Sequence, residues 1–345
     1  MSLRERLVHG YRLLHRYNPF REPVELLAIG SPTKDSPVFV SGNYSCTVEE
    51  LKQVLSPFDC RLLICDSAGI NVWCAAGVGD FNENKITDAI IATGLENQIR
   101  HRTLILPPLA AVGIDRQKLR QDTGFSIAWG PAHLRDLPSF IRNGLKRTDA
   151  MELAVFPMKD RFEQAIGIMG VFLFPALLAF WWPRQTLWFM FSLAHAIFGT
   201  MIGYDRLFPR HSANKTVLLG VIQAGLLTVW RAARGDPEKR YWNRLLVGLF
   251  AHFLIAIDMI GSTPFFKTTI FHWLATGNNE SLFHPNLNDR CTSCGFCQEV
   301  CPKGLFFRDA EKKIRIDLGK TCCECLACVK QCPHLAIENG GTGFK

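Results

Sequence analysis

The chain has 345 residues, room for two or three domains, and with 48% hydrophobic and 20% charged residues it is too apolar to read as wholly soluble. The net charge of +8 would suit nucleic acid, but no arginine-rich tract interleaved with aromatics accompanies it, and membrane-flanking segments carry Lys and Arg anyway. No nucleic-acid partner is expected. Of the 13 cysteines, four are scattered before residue 75 and nine lie between Cys291 and Cys332, a distribution that suits metal clusters in a reducing compartment rather than a disulfide framework.

From the N-terminus, Leu3, Leu7, Tyr11, Leu14 and Tyr17 recur at helical spacing among arginines, so residues 1–17 read as an amphipathic helix, lying on a membrane or packed on the first domain. From Pro37 to Gly144 strand-like and helix-like runs alternate. Val38–Val40, Cys60–Cys65, Leu104–Leu106 and Phe125–Trp129 read as strands; Glu83–Thr93 and Arg116–Arg120 read as helices, as does Thr47–Leu55, opened by a Thr47/Glu50 capping box. Alternation of this kind predicts an α/β layer with a mostly parallel sheet and a ligand at the carboxyl ends of its strands.

The stretch Gly69–Gly77 stands at such an end. Strand character is expected to run on through Ile70, Asn71 and Val72, with Ala75, Ala76 and Gly77 opening a turn or a helix, so that Cys74 lies at the junction. Backbone N–H groups there favour a thiolate, and small residues beside it leave room for a large flat ligand. Alone, Cys74 would equally suit a buried core cysteine, the reading given to Cys46, Cys60 and Cys65, which lack CxxC spacing.

From Ala165 the composition changes. Ala165–Trp182, Thr186–Tyr204, Thr216–Trp230 and Leu245–Phe266 are apolar runs to set against the roughly 20 residues that cross a bilayer. Both soluble parts belong in a reducing cytoplasm, so an even number of spans follows and four are expected. Four spans put Arg231, Arg234, Lys239, Arg240 and Arg244 outside, against the tendency of basic loops to stay in; two spans plus an interfacial pair would relieve the conflict. His195, His252 and Asp258 within these runs suggest hydrogen bonds between helices or a functional group.

The C-terminal spacing carries the most specific signal. Cys291-x2-Cys294-x2-Cys297-x3-Cys301-Pro302 recurs as Cys322-x2-Cys325-x2-Cys328-x3-Cys332-Pro333, the arrangement of a two-cluster bacterial ferredoxin. In such pairs the fourth cysteine ligates the other cluster, so one 4Fe-4S cluster is expected on Cys291, Cys294, Cys297 and Cys332, and the other on Cys301, Cys322, Cys325 and Cys328. Cys323 is left over.

Asn71-Val72-Trp73-Cys74-Ala75-Ala76-Gly77 resembles, position by position, the cap-helix motif of the mercury-methylating corrinoid protein family, HgcA. The likeness continues in Ser41–Tyr44, Thr93–Leu95, His101–Pro107 and Trp129–Pro131, and covers roughly residues 37 to 150. It implies a corrinoid seated on Asn71–Gly77, with Cys74 as lower axial ligand of its cobalt and a methyl group on the opposite face. More distantly, the domain is similar to the corrinoid iron-sulfur protein of acetyl-CoA synthesis. The tail resembles HgcB, the ferredoxin partner of that family, here fused to it. Two departures stand out: the family's lysine is Val78, and the terminal cysteine pair linked to mercury delivery is absent from Glu338–Lys345.

The resulting expectation is a cytoplasmic Rossmann-like corrinoid domain over residues 1–160, a helical membrane domain over 161–276, a linker over 277–288 and a small α+β ferredoxin domain over 289–345. The implied activity is membrane-bound methyl transfer to Hg(II) or another soft acceptor. It would draw on a methyl-donor protein or a methyltetrahydrofolate-type donor, and on a low-potential electron donor that lets the tethered ferredoxin reduce the cobalt. A methyl carrier of one-carbon metabolism and a membrane electron-transfer protein without corrinoid are the other readings.

Overall fold

The computed structural model describes Leu7, Val8, Tyr11 and residues 20–155, 157–172, 182–203, 212–235, 237–261, 283–320, 322–323 and 325–340. Apart from three positions, the expected N-terminal helix lies outside these residues, as do 277–282 of the expected linker. The chain divides into two compact units, Pro19–Val155 with Ser281–Lys345, and Met1–Asn18 with Phe156–Glu280. The α/β and ferredoxin segments therefore belong to one unit.

In that unit five strands form one sheet: β1 (Glu25–Ile29), β2 (Val38–Gly42), β3 (Cys60–Cys65), β4 (Thr103–Leu106) and β5 (Ser126–Trp129), in the order β1-β3-β2-β4-β5. The pairs β2/β3, β2/β4 and β4/β5 are parallel, and β1 adds an antiparallel edge, Glu25 opposite Ile64. The parallel core was legible because Val38, Leu62, Leu63, Ile64, Leu104 and Leu106 are covered on both faces and read as unbroken apolar runs. The edge strand, half covered and short, was not foreseen. Helix α1 (Ser45–Leu55) joins β2 to β3, whereas the chain after β3 crosses back so that β4 lies on the other side of β2. Strand order reverses there, and at such a point the strand ends open a crevice for ligands.

Two local expectations are corrected. Helix α1 starts at Ser45 with Tyr44 at its cap and no side-chain cap bond, so Thr47 and Glu50 form no capping box. Strand character stops at Cys65, because Ala68 and Gly69 adopt left-handed backbone (φ 55° and 75°) that no strand accommodates. Val72 and Trp73 then belong to helix α2 (Val72–Val78), with Cys74 in its first turn.

The crossover continues through α3 (Glu83–Thr93), β4, a 3-10 helix (Pro108–Val112) and α4 (Arg116–Thr123) to β5, followed by α5 (Leu137–Arg142). Helix α2 packs on the 3-10 helix through Ala75 and Ala76 against Ala110 and Ala111, all buried. A Cβ at Gly113 would stand 2.8 Å from Ala76 O and 2.9 Å from Ala76 Cα, and would also strike Phe81 O. These are backbone atoms with little room to yield. Gly113→Ala is therefore expected to cost about 2 kcal/mol by overpacking, seen as a lower denaturation midpoint of the whole chain.

The ferredoxin segment holds β6 (Pro285–Leu287), α6 (Phe296–Val300), β7 (Phe306–Arg308), β8 (Ile314–Ile316), α7 (Ala327–Gln331) and β9 (Ile337–Asn339). Antiparallel pairs β6/β9 and β7/β8 close it. Strand β6 falls within the expected 277–288 linker, so the domain starts earlier than residue 289: its edge must pair with β9 to bury Leu287 and Ile337. The two halves repeat in their backbone. Gly295 and Leu326 open α6 and α7 in left-handed conformation, and Gly304 and Leu335 repeat it after each Cys-Pro.

The helical unit contains α8 (Met158–Val171), α9 (Pro183–Ile202), α10 (Ser212–Arg234) and α11 (Glu238–Gly261). Among the described residues two stretches are long and apolar enough to cross a membrane, Pro183–Ile202 and Thr216–Arg234. Two of the four expected spans thus meet the length and composition of a crossing helix, and the other two run into residues outside those described. The first begins on a helix carrying Lys159, Asp160, Arg161 and Glu163, with 173–181 outside the described residues. The fourth shares its helix with Glu238, Lys239, Arg240 and Arg244, and 262–266 lie outside. His195 Nδ1 and His252 Nε2 lie 3.1 Å apart, and His252 Nδ1 lies 2.8 Å from Gly248 O, so this pair bonds α9 to α11.

Candidate functional site

Construction of the site begins at Asn43, just past β2 and 4% exposed. Its Oδ1 accepts from Ser67 N (2.9 Å), Ser67 Oγ (3.0 Å) and Gly69 N (2.9 Å), while its own N–H donates to Ser67 Oγ (3.0 Å). Ser67 Oγ also lies 2.8 Å from Ile70 O, so its single proton serves either that carbonyl or Asn43 Oδ1. One buried amide thus fixes the turn between β3 and α2, and the left-handed Ala68 and Gly69 let that turn close around it. Gly42 permits the approach: a Cβ there would lie 2.7 Å from Ser67 Cβ.

Beyond the turn, Asn71 Oδ1 caps α2 by accepting from Trp73 N at 2.9 Å, and Gly79 ends it in left-handed backbone (φ 92°). The burial pattern separates two faces. Val72, Ala75 and Ala76 are buried; Asn71, Gly77 and Val78 are exposed, and Trp73 and Cys74 are half-buried. Ala75 and Ala76 are therefore small because the 3-10 helix packs on them, not to make room for a ligand as the sequence suggested. On the open side Gly77, three residues after Cys74, is exposed and has no side chain, and Val78, four after, is 64% exposed. Cys46, Cys60 and Cys65 are buried in the core as expected, and burial, with Asp59 beside it, pushes the Cys60 thiol up to about 11.

Charged groups brace the turn. Lys85 Nζ lies 2.7 Å from Asp66 Oδ2, a bond that holds the Asp66 carboxyl below its ordinary pKa. Glu83, its side chain 11% exposed, accepts from Asp115 N (2.9 Å) and lies 3.2 Å from Lys118 Nζ, tying α3 to α4. Burial raises the Glu83 pKa, but the Asp115 N–H and the Lys118 ammonium outweigh it and leave the pKa lowered. A carboxylate depressed on folding stabilises fully above its unfolded value, near 4.5, and loses that contribution as pH falls through the folded value. Glu83→Gln is expected to flatten the acid limb of a stability-versus-pH curve below 4.5 and to leave its slope near neutrality unchanged.

In the ferredoxin segment, Cys291, Cys294, Cys297 and Cys332 line one hollow, with Leu287, Phe296, Ile314, His334 and Ile337 in its wall. This brings together the first of the two expected cysteine sets, including its remote fourth member. For the second set, Cys301 and Cys328 share one buried cluster, with Cys322 packed against it, and Cys325 is buried. Leu305 N donates to Cys301 Sγ (3.4 Å) and Ala336 N to Cys332 Sγ (3.2 Å), the same bond in each half. Burial pushes the Cys297 thiol up to about 12 and raises Cys301 and Cys328, so deprotonated ligands there depend on metal charge. Among the described residues no three His, Cys, Asp or Glu side chains converge on a point for a single ion.

The ferredoxin segment is not merely tethered to the α/β layer. Gln331, 2% exposed, donates from Nε2 to Ala111 O (2.9 Å) and Ile114 O (2.7 Å). Arg116 stacks its guanidinium over Phe296 at 3.3 Å, Arg147 donates to Glu299 O (2.9 Å), and Ala154 N donates to Pro302 O (3.0 Å). Val300, Cys325 and Ala327 share one apolar core with Ala75, Ala76 and Ala110. Sequence reasoning missed Gln331, Arg116 and Arg147, since a polar residue that bonds a partner more than 100 positions away leaves no local pattern.

Residues 15–141 match the family described as CO dehydrogenase/acetyl-CoA synthase delta subunit, and residues 290–337 match the 4Fe-4S dicluster domain. The chain is 31% identical over 142 residues to an acetyl-CoA decarbonylase/synthase complex subunit gamma of Methanopyrus kandleri, covering 39% of this chain and 30% of that protein. It is 35% identical over 133 residues to the corresponding subunit of Methanosarcina acetivorans, covering 36% and 28%. It is 29% identical over 129 residues to the corrinoid/iron-sulfur protein large subunit of Moorella thermoacetica, covering 37% and 28%. The chain thus spans under a third of these relatives' lengths. Its first part is similar to a domain of the corrinoid iron-sulfur proteins and is followed by a 4Fe-4S dicluster domain.

Proposed function

We propose that the chain is a membrane-held methyl-transfer protein in which Cys74 binds the cobalt of a corrinoid and the fused ferredoxin, holding two 4Fe-4S clusters, supplies electrons to it. Hg(II) is the proposed methyl acceptor. The observation that carries this reading is the placement of Cys74: half-exposed, on the open face of a helix that is capped, braced and packed from behind. A corrinoid fits this edge by its chemistry. Gly77 adds no side chain to the face that bears the thiol, and two buried polar atoms at the carboxyl ends of the strands, Ser45 Oγ and Trp129 Nε1, have no hydrogen-bond partner among the described residues. The amide-rich rim of a corrinoid suits such groups.

When bound, the corrinoid would supply a cobalt centre that carries the transferable methyl group. This chain's own residues hold and orient it. Cys74 acts as thiolate, a strong electron donor that favours release of the methyl group to a soft, electron-poor acceptor such as Hg(II). Asn71 and Asn43 keep the helix that bears it in one position. Electron donation by a thiolate makes cobalt harder to reduce, which accounts for a fused ferredoxin whose clusters can lie near about −400 mV. We assign its clusters to Cys291, Cys294, Cys297 and Cys332, and to Cys301, Cys322, Cys325 and Cys328. Cys332→Ala is then expected to remove the iron of the first set and Cys301→Ala that of the second, each leaving the other set detectable by electron paramagnetic resonance. A methyl-donor protein or methyltetrahydrofolate-type donor and an external low-potential reductant complete the cycle.

Membrane lipid is the proposed surroundings of the helical unit. Leu187, Phe191, Val221, Leu226 and Val229 are exposed on α9 and α10, an apolar surface that water disfavours. Two spans return the chain to its starting side and leave Arg231, Arg234, Lys239, Arg240 and Arg244 in the cytoplasm with both soluble parts, in keeping with the basic-loop tendency. The test of the acceptor is methylmercury formation from Hg(II) by the anaerobic chain loaded with a methylated corrinoid. Formation by the wild type and not by Cys74→Ala supports the reading; cobalt retention without methylmercury selects a carrier for another acceptor in one-carbon metabolism. Val78, an exposed apolar residue where the mercury-methylating family has lysine, favours that second reading.

A further inference from the structure

We propose that the ferredoxin segment is a fixed electron conductor rather than a swinging one, with Cys301, Cys322, Cys325 and Cys328 as its inner set, next to the helix that bears Cys74, and Gln331 as the residue that locks it there. This rests on the cluster assignment proposed above. Gln331 lies between the third and fourth cysteines of the second motif, so it is joined to the cluster loop through α7. Its amide nitrogen reaches two carbonyl oxygens of the segment Ala111–Ile114, on whose other side α2 packs. Those carbonyls are buried acceptors, and losing both donated bonds leaves them unpaired. A loosely tethered domain would have no reason to bury a glutamine against a remote backbone.

The inner set is identified by what it packs against. Cys325 belongs to the core shared with Ala75 and Ala76, and Cys323, the leftover cysteine, packs against the same core. The hollow of the other set is lined only by ferredoxin residues, and its Cys294 is exposed. Electrons would therefore arrive at the Cys294 side. One electron from an external one-electron reductant reduces the outer cluster and oxidises the reductant; the outer cluster is reoxidised as the inner one is reduced, with no proton or bond exchanged. Arg116 over Phe296 and Arg147 on Glu299 O hold the same face and leave the order of the two sets unchanged during the transfer.

The test uses the full chain without corrinoid, so failure of the corrinoid reading leaves it intact. A thiol-reactive trifluoromethyl tag, inert to the reductant, is placed on Cys74, with Cys74→Ser as the untagged control, and titanium(III) citrate reduces the clusters. Reduction to paramagnetic clusters is expected to speed relaxation of the fluorine in the wild type. In Gln331→Glu, nearly isosteric but unable to donate when ionised, that enhancement is expected to fall several-fold, and hydrogen exchange across residues 108–119 to quicken at least tenfold, with iron content unchanged. Gln331→Met, which keeps the volume, is expected to show an intermediate loss. Unchanged relaxation and exchange in Gln331→Glu and in Gln331→Glu/Arg116→Ala, with iron retained, would overturn the lock. Cys294→Ala addresses the order: with second-set iron retained, enhancement persists if that set is inner, and its disappearance contradicts the proposal.

Discussion

Cys74→Ala is expected to lower the affinity of the chain for an added corrinoid by about 100-fold or more and to abolish methyl transfer, without unfolding the protein. The scale follows from metal sites, where even a residue that only orients a ligand costs about 10–100-fold in affinity when replaced. Stability should scarcely change, because Cys74 lies on the half-exposed face of α2 while Val72, Ala75 and Ala76 carry its packing. Spectroscopic titration of the anaerobic protein reads the affinity, and the denaturation midpoint reads the fold. Cys60→Ala should do the reverse: Cys60 is fully buried, so its loss lowers the midpoint and leaves corrinoid affinity alone.

Asn43→Ala is expected to be the most destabilising single change in the α/β layer, at about 3 kcal/mol or more. It removes the acceptor for three donors in the turn before α2, two of them buried backbone N–H groups, and each buried donor left unpaired costs about 1–3 kcal/mol. The loss should exceed what its contacts alone suggest, since the network positions Ser67 Oγ for Ile70 O as well. Because α2 is delivered by this turn, corrinoid affinity should fall in parallel even though Asn43 does not reach the ligand. Asn43→Asp keeps the acceptor but sets a charge against Asp66, 3.4 Å from the present amide nitrogen, and is expected to lose less at low pH than at neutrality.

Sequence patterns carried the parts of this molecule whose signals are local. The paired cysteine spacing is legible along a short stretch, and Cys332 lines the same hollow as Cys291, Cys294 and Cys297. The buried parallel strands were equally legible, because unbroken apolar runs have few other uses. Helix α2 was misread at its start: Ile70, Asn71 and Val72 look strand-like by composition, but the left-handed pair Ala68 and Gly69 turns the chain before them, and only the Asn43 network shows why. The apolar runs are legible only in part: Thr186–Tyr204 and Thr216–Trp230 fall on helices long and apolar enough to cross a membrane, while Ala165–Trp182 and Leu245–Phe266 continue past the described ends of helices that open on charged turns, Lys159–Glu163 and Glu238–Arg244. A linker between 277 and 288 likewise looked sufficient to explain the fusion, whereas Gln331, Arg116 and Arg147 give the ferredoxin segment a built seat that no local pattern announces.

The central claim is the bond between Cys74 and cobalt, and cobalt-edge X-ray absorption of the corrinoid-loaded wild type tests it most directly. A sulfur scatterer in the first coordination shell, lost in Cys74→Ala, is the predicted result. A shell of nitrogen and oxygen alone in the wild type, at full cobalt occupancy, would contradict it and leave the half-exposed thiol on α2 without the role proposed for it.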